Sequence, residues 1–468
     1  MAASLSSAAE LDAGTPSLAG RLDLGGTHVP ATLALASRLS LLVRLDGPER
    51  VEDGALLRGL EVTVGGCAQR LGPCRFAAAQ ERGSGLLYFT EHLYDCRALL
   101  LEGRVVDLRA LFDNLPAVLA QKVHIRPEFR EHVAALAYDL SVYKRLFDEQ
   151  DRILAAEPPD AAAAASRALL ETEGRRFLAH LDRKAAELEE VVRGYTREEH
   201  ERHGSYLRRL LWPYLLTSEC LRRTNLKPSG YAGDAEVMVM LYENAYVGPS
   251  TFAQLMHKHP VETRAADAVR NRRRLIPRAL REARERHGAR RFRFFSLACG
   301  PAYELADVFQ SAEDVAEIEG VLLDQDSKAL ELARGMVRRI EAERGAAPAV
   351  GYVQDSVRTM LRSRDLGQRL GEFEFVYSMG LFDYLTAPVA RAVLAKAWEL
   401  VAPGGTLLVG NYHVDSPSRV YMDYWADWPL VYRTEESFLA LAEGLPGAAR
   451  SVELDETGCQ MFLVLEKA

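Results

Sequence analysis

The sequence predicts an α/β chain: a doubly wound parallel sheet over residues 290–468, preceded by a helical region and a small β-barrel-like module. Three observations carry that prediction. From about residue 290, short apolar runs (RFFSLA, GVLLD, VGYVQ, FEFVYS, GTLLVGNY, QMFLVLEK) alternate with amphipathic ones such as SKALELARGMVRRI and PVARAVLAKAWELV. Apolar strands separated by helices build a parallel sheet covered on both faces. Between 117 and 154 apolar residues recur at helical spacing, as in Val133, Leu136, Ala137, Leu140 and Tyr143. Between 30 and 110 the runs LSLLVRL, LLRGLEVTV, GSGLLYF and GRVVDL are punctuated by Gly, Pro and Asp about every ten residues, the rhythm of a small sandwich or barrel.

These patterns divide the chain into a flexible start (1–28), a β domain (29–112), a helical region (113–225), a helical lid or substrate segment (226–289) and the α/β domain (290–468). AAEPPDAAAAAS, residues 155–166, reads as a linker broken by Pro158 and Pro159, with Ser166 capping a helix to about Tyr195. The helical middle is expected to pack as core or as a homodimer interface.

Composition narrows the class. The 468 residues are 48% hydrophobic and 26% charged, with a net charge of −8, so wholesale disorder is excluded and several cores are expected. The six cysteines lack a CxxC pair, which argues against a disulfide framework or a zinc site and for the cytoplasm. No run reaches the roughly 18–20 apolar residues of a membrane span, and the N-terminus lacks the pattern of a signal peptide. Neither a nucleic-acid partner nor an integral membrane location is expected. The stretch 264–293 holds twelve arginines against three acids, and phosphate contact or a solvated helix face both account for it.

Chemistry concentrates at the ends of the predicted strands, where ligands bind in open α/β sheets. After FFSL come Ala298, Cys299, Gly300 and Pro301, small residues that let backbone approach a ligand. GVLLD ends in Asp324, followed by Gln325, and an acid there is placed to accept hydrogen bonds from both ribose hydroxyls. Asp355 and Ser356 follow the third strand, where they could read an adenine amino group. Ser378, Met379 and Gly380 end the fourth, facing a reaction centre. Pro403, Gly404 and Gly405 form a turn before the fifth. Each of these has a structural alternative, a helix cap above all.

Taken together and in this order, they make 290–468 resemble the class I S-adenosylmethionine-dependent methyltransferases. One glycine stands in the first loop where that family usually has two or three. A closer resemblance covers 226–468: KPSGYAGDAEVMVMLYENAYVGPSTFAQLMHKH, AVRNRR and SPSRVYMDYWADWPLVYRT are similar to the bacterial extracellular-factor family, which makes 3-hydroxypalmitic acid methyl ester. The resemblance implies a Rossmann-like domain, S-adenosyl-L-methionine as cofactor, and methyl transfer to a small-molecule acceptor, a carboxylate or hydroxyl oxygen.

A carboxylate acceptor needs an orienting cation, and Arg433 and Arg419 are the candidates. His413 is the candidate general base for a hydroxyl acceptor. Tyr231, Tyr384, Tyr412, Trp425, Trp428 and Tyr432 are candidates to wall the pocket and cover the sulfonium. Arg270 or Arg272 could reach the cofactor carboxylate. The β module resembles a degenerate PilZ domain, without its RxxxR and D/NxSxxG motifs. A second reading makes the chain a non-catalytic cofactor sensor or partner-binding protein. A nucleic-acid methyltransferase and an NAD-dependent oxidoreductase are weaker alternatives.

Overall fold

The computed structural model describes residues 17–468 except 65–66, 80–82, 102–104, 110–111, 113–114, 289–290 and 364. The chain forms two compact units that meet in sequence between His124 and Ile125. In the first, alternation of buried and exposed residues builds an antiparallel sheet. Its strands are β1 (Ser17–Asp23), β2 (His28–Ser37), β3 (Ser40–Leu45), β4 (Leu56–Leu57), β5 (Gly59–Val64), β6 (Cys67–Leu71), β7 (Cys74–Ala78) and β8 (Ser84–Phe89). The order is β4-β7-β8-β3-β2-β1-β5-β6, so among the described residues the pairing ends at β4 and β6 and does not close a barrel. Val29, Leu33, Leu41, Val43, Leu60, Phe76 and Leu87 fill its core.

Two expectations are corrected here. Ser17–Asp23, placed in a flexible start, is an interior strand paired with both β2 and β5. GRVVDL is no strand in its described part: Asp107 forms one isolated bridge with Tyr94.

The second unit opens with helices. Pro127 starts the 28-residue helix Pro127–Leu154 at a position where a missing N–H costs nothing. The alanine run expected to be a linker is itself a helix, Pro159–Leu169, because Pro159 is tolerated in its first turn and alanine is the best helix former. Ser166 lies inside that helix and caps nothing. A π-turn, Leu170–Gly174, joins it to Arg175–Val191. These helices share one core with Tyr421, Tyr424 and Trp425 from near the C-terminus, so the helical region and the α/β region are one body. Among the described residues no helix is long and apolar enough to cross a membrane.

The sheet of this unit is Rossmann-like. Its strands are β9 (Phe292–Leu297), β10 (Ile318–Asp324), β11 (Ala349–Gln354), β12 (Phe373–Ser378), β13 (Val401–Tyr412), β14 (Ala448–Leu454) and β15 (Gln460–Lys467), in the order β11-β10-β9-β12-β13-β15-β14. The first five run parallel, whereas β15 is antiparallel to both neighbours. The sequence reading contained no β14, whose exposed, polar AARSVEL lacks an apolar run. Apolar clusters cover both faces, one around Phe295, Val376 and Leu407, the other around Phe294, Leu322 and Phe375.

Two local features differ from expectation. Pro403-Gly404-Gly405 does not precede β13 but bulges within it: Phe373 pairs with Val401, and Phe375 with Thr406. The first loop opens no long helix, only Leu305–Val308, so no helix-terminal anion site stands there.

Candidate active site

The order reverses between β9 and β12, and there the carboxyl ends of the strands surround a cavity of about 500 Å³. This is where a doubly wound sheet leaves a crevice. The first loop takes a left-handed path at Ala298 (φ 55°), Gly300 (φ 57°) and Ala302 (φ 51°). Two alanines thus hold a conformation that glycine holds without steric cost. The loop is fixed to its neighbours: Cys299 N–H donates to the Leu323 carbonyl (3.1 Å), and the Ser378 hydroxyl to the Leu297 carbonyl (2.8 Å). Burial pushes the Cys299 thiol well up, so it is an inert wall rather than a nucleophile.

Asp324 ends β10 with only 6% of its surface exposed. Gly300 N–H donates to its Oδ2 and Asp326 N–H to its Oδ1, both at 2.9 Å. These bonds fix the carboxylate and leave each oxygen a further lone pair at the cavity wall. Burial raises its pKa above the ordinary value. Gln325 and Asp355 line the same wall. Ser356 does not; its hydroxyl caps the helix Val357–Arg362 by accepting the Thr359 N–H.

The opposite end of the cavity carries buried polar groups. Arg272 is 7% exposed, its Nη1 donates to the Met379 carbonyl at 3.2 Å, and its Nε has no partner. Burial opposes its charge, but the neighbouring Tyr242, Tyr412 and Asp383 together raise its pKa above the ordinary arginine value. No carboxylate among the described residues forms an ion pair with it. Glu304 also lines the cavity, fully buried, and accepts a 2.7 Å hydrogen bond from the Tyr377 hydroxyl. Burial raises its pKa.

The third wall is aromatic. Trp428 Nε1 donates to the Tyr384 hydroxyl at 2.7 Å, and the Tyr231 and Tyr384 rings meet edge-on at 6.3 Å. Gly233 lies against both: a Cβ there would fall 2.3 Å from the Trp428 ring and 2.7 Å from the Tyr384 hydroxyl. The turn carrying Tyr231 and Gly233 is anchored by buried Asp234. Its carboxylate caps the helix Ala235–Glu243, pairs with Arg223 at 2.8 Å and accepts from the Ser229 hydroxyl at 2.9 Å.

The structure brings together Tyr231, Ala298, Cys299, Gly300, Pro301, Asp324, Gln325, Asp355, Met379, Gly380 and Tyr384 around one cavity. The expected catalytic residues lie elsewhere. Arg433 is 5% exposed and donates to the carbonyls of Phe382 (2.8 Å) and Leu385 and to Asn411 Oδ1, leaving no carboxylate-binding fork. The Tyr412 hydroxyl donates to the Ala265 carbonyl (2.9 Å). His413 accepts the Asp415 N–H through Nδ1 (3.2 Å), away from the cavity lining. Arg419 lies 4.7 Å over the Tyr432 ring, and the Tyr432 hydroxyl donates to Asp423 (3.1 Å). Ser378 is spent on Leu297, and Arg270 on the Leu241 and Val261 carbonyls. The sequence reading missed Glu304, Tyr377 and Tyr242. An acid among the apolar residues of AYELADVF, which also holds Asp307, was the signal available for Glu304.

No family model and no curated protein matches the sequence. Among solved structures, the chain is similar to a possible exported protein from Bordetella parapertussis (20% identity, TM-score 0.42, covering 67% of this chain and 99% of that one). It is also similar to an O-methyltransferase family protein from Burkholderia thailandensis (19%, 0.36, 75% and 98%). A third is magnesium protoporphyrin IX methyltransferase from Synechocystis PCC 6803, which holds SAH (9%, 0.36, 50% and 96%). At these scores the overlaps carry no functional weight, and the site's own geometry has to.

Proposed function

We propose that Ile125–Ala468 is an S-adenosylmethionine-dependent methyltransferase that acts on the carboxyl or hydroxyl oxygen of a small molecule. The observation that supports it is one cavity with two matched ends. Asp324, with spare acceptor capacity, suits a ribose diol. The unpaired cation Arg272 and the carboxyl of Glu304 suit an amino acid's carboxylate and ammonium. Asp355 borders the adenine side. The open space beside Gly300, where an added Cβ would touch nothing within 4 Å, leaves room for the ligand against the backbone.

When bound, the cofactor supplies a methyl group already activated on a sulfonium. The protein must then align the acceptor and keep water out. Tyr231 and Tyr384 line the cavity for that task, with Trp428 holding the Tyr384 hydroxyl, and the tyrosine ring faces stabilise positive charge. Among the described residues no histidine lines the cavity, so an acceptor already ionised at neutral pH, a carboxylate, suits it best. The N-terminal unit, PilZ-like in its strand rhythm, is assigned a regulatory or assembling role in the cytoplasm, with a homodimer as its simplest product.

Calorimetric titration tests the reading. S-adenosylmethionine and S-adenosylhomocysteine should bind, and NAD and cyclic di-GMP should not. Asp324→Ala should weaken the first two by ~10-fold or more, the loss expected when charge-assisted hydrogen bonds go. Equal affinity in the variant would sink the ribose assignment. Turnover would then be sought with 3-hydroxy fatty acids.

A further inference from the structure

The arginine-rich helix Arg264–His287 buries Val269, Arg272, Ile276, Leu280 and Ala283 and exposes or half-exposes its other arginines. On most of it, charge is matched locally. Arg284 pairs with Asp314 (3.3 Å) and with Glu317, Arg286 with Glu466 (3.0 Å), and Arg278 approaches Glu282 (3.8 Å). One face is different. Arg270, Arg273, Arg274 and Arg281 line a cleft of about 440 Å³ whose lining contains one carboxylate, Asp307. Their spacing of three, four and eleven residues from Arg270 places them on a single side of the helix.

Arg270 pairs with Asp267 at 2.6 Å, Asp307 binds Arg273 Nε at 3.0 Å, and Arg281 reaches only the Asp307 carbonyl, at 3.2 Å. Arg274 makes no hydrogen bond or ion pair with any described residue. It also borders a shallower groove carrying Glu453, Asp455 and Glu456, yet pairs with none of them. Arg270 and Arg273 are partly withdrawn from solvent, with 16% and 29% of their side chains exposed, which strengthens the field in the cleft. Tyr242 belongs to both cavities, so this cleft shares a wall with the Arg272 end of the active pocket.

We propose that this cleft is a second binding site and that it takes a di- or polyphosphate anion. Arg270 and Arg273 each have a carboxylate, Asp267 and Asp307, whereas Arg274 and Arg281 have none, and this surplus of two charges calls for a ligand with more than one negative charge. Planar guanidinium forks match phosphoryl oxygens two at a time. A single carboxylate would fill neither the charge nor the space. The site is independent of the methyl-transfer reading, since neither Asp324 nor the first loop takes part in it.

The test is calorimetry on the full chain with inorganic pyrophosphate at physiological ionic strength, without S-adenosylmethionine. One pyrophosphate should bind per chain. The double variant Arg274→Gln/Arg281→Gln, at exposed positions that the fold does not need, should weaken it by ~10-fold or more. Arg278→Gln, on the adjoining face, should leave it unchanged, and inorganic phosphate should bind more weakly. Three results would overturn the proposal: no saturable binding, an affinity unaffected by the double variant, or an equal loss in Arg278→Gln, which would mean diffuse attraction to the helix.

Discussion

The two halves of the candidate site were unequally legible. On the cofactor side, residues named from the sequence stand at the tips of β9, β10 and β12 or directly after β11, around one cavity. On the acceptor side, the charged and aromatic residues of 412–433 that looked chemically suitable are mostly structural. Topology explains the difference. A strand end in a doubly wound sheet points at the crevice whatever its residue, so position alone identifies Asp324. The segment from the end of β13 folds back on helices 147 to 224 residues earlier in sequence: Tyr412 reaches Ala265, and Tyr424 reaches His200. Orientation there depends on partners that local sequence does not reveal.

The sharpest way to break this contrast is Arg433. It ties the turn Phe382–Tyr384, which brings Tyr384 to the cavity, to β13 through Asn411. Arg433→Gln should destabilise the protein by roughly 2–4 kcal/mol, the cost of leaving several buried acceptors unpaired. Thermal unfolding reads this directly. A variant with unchanged melting but lost turnover would restore the catalytic reading and erase the contrast.

Asp383, in the same turn, sharpens it. Its carboxyl accepts the Tyr412 N–H at 2.7 Å, and burial raises its pKa to about 7, against the opposing pull of that bond, Arg272 and Arg433. A group harder to ionise when folded contributes stability that is complete below its unfolded pKa. That stability is lost as pH rises through the folded value, here from near 3.8 to about 7. The melting temperature should therefore fall across that window, and Asp383→Asn, which keeps the acceptor oxygen, should flatten the fall. An identical slope in both proteins would show that Asp383 is ionised throughout.

The fold was legible where burial follows a simple period. GVLLD and FEFVYS each became a strand because their apolar residues bury on both sides, and VGYVQ, at the sheet edge, is a strand only partly buried. It was obscure where composition misled. AAEPPDAAAAAS looks like a linker by its prolines, yet both sit where a helix start tolerates them. β14 has no apolar run because it is an exposed edge. Arg272 and Glu304 were hard to weigh because a buried charge carries no mark in sequence: an arginine among twelve resembles its solvated neighbours until the cavity is seen.

The smallest expected effect tests the first loop, where the sequence departs furthest from the methyltransferase pattern. One glycine stands there in place of two or three. Yet Ala298 and Ala302 adopt the left-handed conformation around Gly300, so the path is kept and the departure is energetic rather than geometric. Left-handed alanine costs roughly 1 kcal/mol relative to glycine. Ala298 is partly exposed at the cavity wall, so Ala298→Gly relieves strain and loses little packing. It should raise stability by about 1 kcal/mol. Ala302 is 1% exposed, and there the lost methyl burial should offset the relief, leaving stability nearly unchanged. Denaturant midpoints of the two variants measure both. If Ala298→Gly is no more stable than the parent, the loop does not hold this path. The cradle around Asp324 would then form only when a ligand is present.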